Sequence, residues 1–593
     1  MSAMRRWVDW MAAATLLAAN LGAQSTTRVS VDSTGGEADD HSDKPSISAD
    51  GRYVAFQSWA SNLVAGDAAG RRDIFVRDRA SGATTRVSVG IGGAEANNNS
   101  GSPVLSADGR YVVFWSDASN LVVGDTNGDA DVFLHDRQSG ATERVSVSSS
   151  GMQGNDLSLS GAISTDGRYV AFYSFASNLV TGDTNAQFDV FVHDRQMGTT
   201  ERVSVDSSGA QGNGGSAGAV LSADGRIVAF TSGATNLVAG DTNGKIDLFV
   251  HDRQSGATTR ASVDSSGGQS DGDTYTPSIS ADGRFIAFQS VATNLVPGDA
   301  NASNDAFVHD RQSGATACAS VAPSGVPGNG HSTQPAISVD GRFVAFTSFA
   351  TNLVAGDTNG WTDEFIRDRL IGATTLVSLD SSGSQGNGDT EAPALSADGR
   401  VIAFQSWATN FVSVDTNEVN DIFVRDRGAA SAFADFCAGD GSGAACPCGN
   451  SGVSGRGCQN SAGTGGALLA AAGQASLASD TVVLTASGEL PAALTIFLQG
   501  SQPIPAASFG DGLRCAGGTL KRLYVRTASG GTSTAPGGDP PISARSAALG
   551  DPIPLGHSRY YQTYYRDSSP SFCTAPQGGT FNASRAVAIA WGS

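Results

Sequence analysis

Lysine is almost absent from this chain of 593 residues, and charged residues of all kinds make up only 16% of it. The three lysines are Lys44, Lys245 and Lys521, so arginine supplies nearly all of the positive charge. Because the formal net charge is −20, the surface repels phosphate backbones, which argues against nucleic-acid binding. Acidic loops favour divalent cations or a basic partner instead.

Long apolar runs are also lacking. Beyond the N-terminus, no stretch is long and apolar enough to cross a membrane as a helix. Arg5 and Arg6 precede an apolar run over Trp10–Leu21, and Leu-Gly-Ala at 21–23 is a small-residue cleavage site. This order predicts a signal peptide over residues 1–23 and a secreted protein, located outside the cell, on its surface or in the periplasm. An N-terminal membrane anchor is the alternative.

What the sequence has in abundance is glycine, with 75 residues, and a fixed repeat. The triplet Asp-Gly-Arg recurs every 58 residues, at Asp50, Asp108, Asp166, Asp224, Asp282, Asp340 and Asp398. A constant period over seven copies is the signature of a closed or stacked repeat architecture. The units span Thr26 to Ser431, which leaves residues 432–593 for a second domain.

Each unit contains four strand-like segments separated by turn residues. In the third unit these segments are Ala162–Ser164, Tyr169–Ser174, Asp189–Asp194 and Thr200–Val205. Four antiparallel strands in each of seven units predict an all-β, seven-bladed β-propeller over residues 24–431. The last unit lacks its fourth segment, which Thr26–Val31 supplies from the other end, so we expect Velcro closure of the ring. An open solenoid is the alternative, but it leaves the permuted strand unexplained.

The repeat motif S-x-D-G-R-x-h-A-F-x-S, followed by D-h-F-V-x-D, resembles the WD40-like repeat of the TolB-type propellers. The resemblance covers the seven units, and it implies a propeller fold. It is less specific for function, because such propellers serve as binding scaffolds, peptidase gates and occasional lyases. This sequence departs from the family in having Ala, Thr or Val where a Pro usually precedes the Asp.

The loop between the second and third strands reads G-D-T-N-G-x-x-D in units two, four and six, with close variants elsewhere, and places oxygen ligands at positions 1, 3 and 7 counted from the first Asp. Ca²⁺ prefers such hard oxygen ligands, so this loop is a candidate calcium site, with the Asp125–Asp131 loop the best copy. Turn capping by Asx side chains is the alternative. The candidate ligands are Asp125, Asn127, Asp129, Asp131, Asp183, Asn185, Asp189, Asp241, Asn243, Asp247, Asp299, Asn301, Asp305, Asp357, Asn359 and Asp363.

Function in a repeat protein is expected where one unit departs from the others. Trp59, Phe349 and Trp407 occupy one variable position in units that are consecutive around a closed ring, and Trp361 lies in a neighbouring loop. Grouped aromatics of this kind could stack on sugar rings or anchor a peptide, and His331 lies beside them. Packing between blades is the alternative, and we expect Trp361 to be exposed and Trp59 and Trp407 to be packed.

After residue 431 the composition changes, and a cysteine-rich segment is followed by five strand-like runs. They are Thr481–Ala486, Leu494–Gln499, Arg522–Thr527, Tyr560–Tyr565 and Ala586–Trp591. Six cysteines follow the repeats, at Cys437, Cys446, Cys448, Cys458, Cys515 and Cys573. They predict a small, disulfide-stapled β-sandwich over 432–593, with a zinc site as the alternative. Cys318 stands alone inside the repeats, at a position where other units have arginine, and is expected to be a free thiol.

Recognisable catalytic motifs are scarce, since the sequence has no H-E-x-x-H and no sialidase-type Asp box. These features together predict a monomeric, exported propeller scaffold that binds a polysaccharide or protein partner through its acidic loop face, with Ca²⁺ as its one possible cofactor. The alternative function is that of a polysaccharide lyase or hydrolase with its site at the mouth of the propeller channel.

Overall fold

The computed structural model describes residues 24–67, 70–428, 433–437, 446, 450–477, 479–509, 511–554, 558–567 and 581–591. The chain separates into two compact units with the division between Gly428 and Ala429. The signal peptide expected over residues 1–23 lies outside the described residues, as do Cys448 and Cys573. In the described part of the chain, no helix has the length and apolar character needed to span a membrane.

The first unit is built from short strands. They are β1 (Ser25–Arg28), β2 (Ser42–Ile47), β3 (Tyr53–Ser58), β4 (Asp73–Asp78), β5 (Ala83–Arg86), β6 (Ser100–Leu105), β7 (Tyr111–Ser116), β8 (Asp131–Asp136), β9 (Ala141–Arg144), β10 (Ser158–Ile163), β11 (Tyr169–Ser174), β12 (Asp189–Asp194), β13 (Thr199–Arg202), β14 (Ser216–Leu221), β15 (Ile227–Ser232), β16 (Asp247–Asp252), β17 (Ala257–Arg260), β18 (Thr274–Ile279), β19 (Phe285–Ser290), β20 (Asp305–Asp310), β21 (Ala315–Cys318), β22 (Ser332–Ile337), β23 (Phe343–Ser348), β24 (Asp363–Asp368), β25 (Ala373–Leu376), β26 (Thr390–Leu395), β27 (Val401–Ser406) and β28 (Asp421–Asp426).

Consecutive strands form antiparallel four-stranded sheets, one for each repeat. Sheets 1 to 6 are β2–β5, β6–β9, β10–β13, β14–β17, β18–β21 and β22–β25, and sheet 7 is β26, β27, β28 and β1. All seven lie within the described residues, and they confirm the expectation of four antiparallel strands per repeat. A repeated four-stranded sheet of this kind is the building block of a propeller.

The second and third strands of each sheet carry apolar residues on both faces because each sheet is covered by its neighbours. Phe172 and Phe191 stack across β11 and β12 with ring centroids 5.7 Å apart. Val113 and Val132 of sheet 2 pack with Phe172 in a core that lies between sheets 2 and 3. Each such interface buries its own cluster of aliphatic and phenylalanine side chains.

The Asp-Gly-Arg triplet forms the tight turn between the first two strands. Asp50 Oδ1 accepts a hydrogen bond from the Arg52 backbone N–H, which closes the turn. The turn glycine also lies against the preceding sheet: Gly109 has φ +68°, and a Cβ there would come within 2.3 Å of Tyr53. Glycine is therefore required both for the backbone conformation and for the close approach of adjacent sheets.

The arginine of the triplet joins the second strand to the end of the third. Arg52 donates through Nε and Nη2 to the two carboxylate oxygens of Asp78, each at 2.8 Å. This bidentate pair holds the pKa of Asp78 well below its usual value. The pair recurs as Arg110–Asp136, Arg168–Asp194, Arg226–Asp252, Arg284–Asp310, Arg342–Asp368 and Arg400–Asp426.

The fourth strand of sheet 7 comes from the opposite end of the unit. Strand β1 pairs antiparallel with β28, and the register runs from Ser25 opposite Asp426 to Arg28 opposite Phe423. Arg28 thus occupies the register position that Arg86 occupies opposite Phe75 in sheet 1. The N-terminal segment therefore supplies the strand that the last repeat lacks.

The second unit is also predominantly β. Its elements are β29 (Phe433–Phe436), β30 (Leu468–Ala472), β31 (Val483–Ser487), β32 (Leu494–Gly500), β33 (Gln502–Phe509), β34 (Gly512–Gly517), β35 (Lys521–Thr527), β36 (Thr532–Ala535), α1 (Ile542–Ala548), β37 (Ser558–Arg566), β38 (Phe581–Ala583) and β39 (Ala586–Ala590). The five predicted strand runs coincide with β31, β32, β35, β37 and β39.

Two sheets of the second unit share one core. One sheet has the order β29-β39-β37-β32-β35 with β38 paired to β37, and the other has the order β30-β31-β36. Leu484, Phe497, Tyr561 and Trp591 are buried together in this core. Disulfides link Cys437 to Cys515 and Cys446 to Cys458.

Deletion of Thr26–Val31 tests the role of β1. Removing it exposes the hydrogen-bonding edge of β28, so we expect aggregation or failure to fold, because an unpaired strand edge promotes association. The control removes residues 436–593 instead, which should leave a monomeric first unit with an unchanged cooperative melt. Size-exclusion chromatography and thermal denaturation measure both. A chain that begins at Pro45 and remains monomeric and equally stable would contradict the assignment.

Candidate functional site

The long loops of the first unit, which join strands two to three and four to one, lie on one face. The residue that follows each second strand donates its backbone N–H to the carbonyl of the residue that precedes the first strand. The pairs are Trp59–His41, Asp117–Asn99, Phe175–Leu157, Gly233–Gly215, Val291–Asp273, Phe349–His331 and Trp407–Asp389. The backbone is the same in all seven sheets, so the side chains here vary without any demand from the fold.

The aromatic residues expected at this face are largely exposed. Phe349 is 58% exposed, Trp407 50% and Trp361 46%. The expectation for Trp361 is therefore confirmed, whereas Trp407, which we expected to be packed, is open to solvent. Trp59 is partly buried, and the guanidinium of Arg72 lies 5.1 Å from its ring centroid.

Two histidines flank these aromatics. His41 of sheet 1 meets Trp407 of sheet 7 edge-on, with ring centroids 4.9 Å apart. His331 is exposed, and its Nδ1 accepts a hydrogen bond from the Asn304 backbone N–H at 3.0 Å. His331 therefore lies beside Phe349 at the same face, as the sequence indicated.

A cavity of about 530 Å³ lies where the first strands of the sheets face one another. Its wall includes Pro45, Pro103, Pro277, Pro335 and Pro393, one from each of five first strands. Among its described lining residues, the one titratable side chain belongs to Lys44. His331 does not line it, so the convergent acid and base groups that a lyase or hydrolase needs are not found among these lining residues.

The candidate metal loops contain a pair of aspartates in each sheet, which we call the paired aspartates. The second member begins the third strand and is buried. In sheet 2 this is Asp131, whose Oδ1 accepts a hydrogen bond from Ser146 Oγ at 2.6 Å. The serine bond recurs at 2.5–2.6 Å in the six other sheets. The carboxylate thus ties the start of the third strand to the segment after the fourth.

An arginine lies between the paired aspartates of sheet 2. Arg144 Nη1 is 3.0 Å from Asp131 Oδ2 and 3.3 Å from Asp125 Oδ1. Asn127 Oδ1 accepts the backbone N–H of Asp129, which is the Asx-turn geometry of the alternative account. The sequence indicated the Asp125–Asp131 loop as the best calcium site, but a cation bound there would have to displace this guanidinium.

The same arrangement occurs in five sheets and is missing from two. An arginine lies within 3.7 Å of both paired aspartates in each of the pairs Asp67/Asp73, Asp125/Asp131, Asp183/Asp189, Asp241/Asp247 and Asp415/Asp421. Sheets 5 and 6 instead have Cys318 and Leu376 at this register. Cys318 was recognisable in the sequence as a departure from the repeated arginine. Leu376 was overlooked there, although comparing the repeats at the same position reveals it.

Burial governs the charge of these carboxylates. It raises the pKa of Asp305 and of Asp363 to about 6, and it raises the pKa of the Cys318 thiol to about 12. In sheet 1, ligand atoms of Asp67, Asp73 and Glu95 lie within 4.8 Å of one another, but Arg86 is 3.0 Å from Asp67 and balances part of their charge.

Glu364 is a departure from the repeat that the sequence analysis missed. It is fully buried where other sheets have aliphatic residues such as Ile74 and Val132. Its Oε1 accepts a hydrogen bond from Thr347 Oγ1 at 2.7 Å, while its Oε2 has no hydrogen-bond partner in the described structure. Burial raises its pKa well above the usual value, with Asp363 and Glu391 adding repulsion.

Two G-x-S-x-G matches occur, at residues 214–218 and 268–272, but the first runs into β14, the second lies in the loop before β18, and neither is a strand-to-helix turn. Ser270 of the second match is buried and donates to the Gly272 carbonyl at 2.6 Å. Ser216 is buried and donates to Ser232 Oγ at 2.8 Å. The same bond joins Ser42 to Ser58 in sheet 1. Ser216 is therefore a repeated structural residue and not a nucleophile.

No family model and no curated protein matches this chain. Similar solved structures include putative TolB from Agrobacterium tumefaciens, with 16% identity over 47% of this chain and 80% of that one, at a TM-score of 0.31. An oligogalacturonate lyase in complex with manganese is 13% identical over 69% and 94%, at a TM-score of 0.42. The β-propeller domain of the Trilobed protease from Pyrococcus furiosus is 10% identical over 65% and 95%, at a TM-score of 0.41.

These neighbours are propeller proteins and include TolB, as the repeat motif indicated. Every TM-score is below 0.5 and every identity is below 25%, so they carry no argument about the function of this chain. The propeller character of the first unit rests on its own strand pairing.

Isoleucine occupies the position of Glu364 in sheets 1 and 7. We expect Glu364→Ile to stabilise the protein by about 1–3 kcal/mol at pH 7, because a buried carboxyl with an unpartnered oxygen is costly. The reverse exchange Ile74→Glu should destabilise it. Since the folded pKa of Glu364 is raised, its penalty is absent below the unfolded pKa of about 4.3 and grows as the pH rises above it. Urea unfolding at pH 4 and pH 7 measures this, and equal effects at both would contradict it.

Proposed function

We propose that the protein is an exported propeller scaffold that binds a polysaccharide through an aromatic arc, defined as Phe349, Trp407 and Trp59. The half-exposed rings of Phe349 and Trp407 offer flat apolar surfaces to sugar rings at little entropic cost, and the partly buried ring of Trp59 extends the arc. His41, His331 and Asp389 lie at the paired backbone positions beside them and offer hydrogen-bonding groups. The long loops of the same face supply further polar contacts, as loops on rigid scaffolds commonly do.

The observation that carries the proposal is the contrast between a constant backbone and variable side chains. The backbone hydrogen bond from Phe349 to His331 is the same as the one from Gly233 to Gly215 in sheet 4. A glycine serves the fold at this position as well as a phenylalanine does. An exposed aromatic there therefore has no structural reason, and exposed aromatic groups typically mark binding sites.

The proposal includes a closed ring of seven blades in which β1 provides the Velcro strand. The Ala397 backbone N–H of sheet 7 donates to the Ala49 carbonyl of sheet 1 at 2.9 Å, as Ala49 N–H does to the Ala107 carbonyl of sheet 2 at 2.8 Å. Val401 of sheet 7 also packs against Gly51 of sheet 1. These contacts support closure, because the first and last sheets meet as other neighbours do. In a closed ring the three members of the aromatic arc are adjacent.

Export is supported by the two disulfides of the second unit, since disulfides persist in oxidising compartments. The signal-like N-terminus agrees with it. The location within the exported space, whether extracellular, at the cell surface or periplasmic, follows from neither feature. We do not extend the proposal to catalysis, because Lys44 is the one titratable side chain among the described residues that line the central cavity.

A glycan array with the purified protein tests the proposal. Trp407→Ala and Phe349→Ala should each abolish binding to whichever polysaccharide is found, since a few aromatic anchors dominate such interfaces. Both variants should keep the free energy of unfolding within about 0.5 kcal/mol of the wild type, because both rings are largely exposed.

Phe175→Ala is the matched control. Phe175 occupies the same repeat position in sheet 3 and is also exposed, but it lies outside the arc and packs edge-on against Phe188 at 5.2 Å. It should bind as the wild type does. Equal loss of binding in all three variants, or binding only to proteins and to no glycan, would contradict the polysaccharide proposal.

A further inference from the structure

Sheet 6 contains buried paired aspartates without the cation that accompanies this pair in five other sheets. Leu376 faces Phe365 across the strand pair in the register in which Arg144 faces Phe133 in sheet 2. Leu376 is partly buried in the core beside sheet 5. An aliphatic side chain thus takes the place of the guanidinium, and it cannot neutralise Asp357 or Asp363.

The polar atoms that the guanidinium would meet are left without partners. Asp357 Oδ1 and Asp363 Oδ2 are buried and make no hydrogen bond of normal geometry in the described structure, although the Asn359 side chain lies near enough to Asp363 to oppose the rise of its pKa. The aspartates of sheet 6 also lack a second donor, because Gln153 Nε2 donates to both paired aspartates in sheet 2 whereas Gln385 Nε2 makes no hydrogen bond in the described structure. Buried unsatisfied polar atoms are rare in native proteins, and each calls for a compensating group.

Asp363 points its unpartnered oxygen toward this gap. Its Oδ1 is held by Ser378 Oγ at 2.5 Å, as Asp131 Oδ1 is held by Ser146. With one oxygen fixed in the same way, the other faces the position where Asp131 Oδ2 meets Arg144. Asp363 is completely buried, so water in bulk does not solvate this oxygen.

We propose that sheet 6 binds a divalent cation of the Ca²⁺ type between Asp357 and Asp363, in the place that an arginine guanidinium occupies in sheets 1 to 4 and 7. Two carboxylates carry a charge of −2, which one divalent cation balances. The two carboxylate oxygens are buried, but Thr358, Gly360 and Trp361 of the loop between them are exposed, so water can reach an ion from the loop side and complete the six to eight oxygen ligands that Ca²⁺ requires. Carboxylate oxygens are hard ligands and select against soft metals.

Sheet 5 lacks the arginine as well but is a poorer site. Asp299 Oδ1 is unpartnered, yet Asp305 Oδ2 accepts a hydrogen bond from Asn301 Nδ2 at 2.8 Å. In sheet 5, Cys318 stands at the position of Leu376 and contributes a protonated thiol. Pro327 stands at the position of Gln385 and offers no side-chain oxygen. Of the two sheets that lack the arginine, sheet 6 is therefore the one in which an oxygen of each paired aspartate has no hydrogen-bond partner.

Binding of the ion would also act on the aromatic residues of the same loop. Trp361 lies between the two aspartates in sequence, and its backbone N–H donates to Asn359 Oδ1 at 3.1 Å. A cation held by Asp357 and Asp363 closes this loop from both ends and fixes the backbone that carries Trp361. The same indole provides a probe, because an excited tryptophan sensitises the luminescence of a nearby terbium ion.

The test compares the full chain with Leu376→Arg, which installs the guanidinium found in the five other sheets. The wild type should show a melting temperature about 2 °C or more higher in calcium than in excess chelator, because an ion that binds only the folded state stabilises it. It should also show terbium emission on tryptophan excitation that calcium competes away. Both signals should disappear in Leu376→Arg, which should fold because this register accepts arginine.

Two further variants keep the test decisive. Asp363→Asn should lose at least tenfold in calcium affinity even if Leu376→Arg folds poorly. Arg144→Leu, the reverse exchange in sheet 2, should raise the number of bound calcium ions by one in equilibrium dialysis. A wild type with no calcium-dependent shift and no terbium emission would overturn the proposal. So would full emission in folded Leu376→Arg, or no additional ion in folded Arg144→Leu.

Discussion

The first unit depends on a carboxylate buried at the start of every third strand. Asp131 and its six counterparts are almost completely inaccessible, and each accepts a serine hydroxyl from the segment that follows the fourth strand. An isolated buried carboxylate is costly, and a sheet can offset that cost by supplying a neutralising cation. Five sheets do so with an arginine from the fourth strand, which joins strands three and four and the long loop in one polar network.

A repeat of constant backbone separates structural residues from functional ones. The Asp-Gly-Arg turn and its bidentate pair occur in all seven sheets, because neighbouring sheets pack closely against this turn. Phe349, Trp407, Leu376 and Glu364 are departures that the backbone does not require. These departures fall in sheets 6 and 7, next to the joint at which β1 completes the last sheet. The least repetitive part of the face is thus also the part where the first and last strands of the first unit pair.

The repeat let the sequence predict the strands, the turns and the permuted N-terminal strand, because period, turn residues and alternation all agreed. It could not predict that Arg144 lies between Asp125 and Asp131, since a fourth-strand residue meets a loop only once the sheet is formed. The exposure of Trp407 also depends on the neighbouring sheet, where His41 touches only its edge. The sequence repeats show that Leu376 replaces an arginine, but only the structure shows that this replacement leaves an oxygen of Asp363 without a hydrogen-bond partner.

The most direct measurement is a crystal structure of the full chain soaked with terbium, with data collected at an absorption edge of the ion. The account predicts one strong anomalous peak between Asp357 and Asp363, with both carboxylates as ligands, and none between the paired aspartates of sheets 1 to 4 and 7, where arginine remains. An ion bound between Asp125 and Asp131 with Arg144 displaced, or no ion in sheet 6 at saturating terbium, would contradict it.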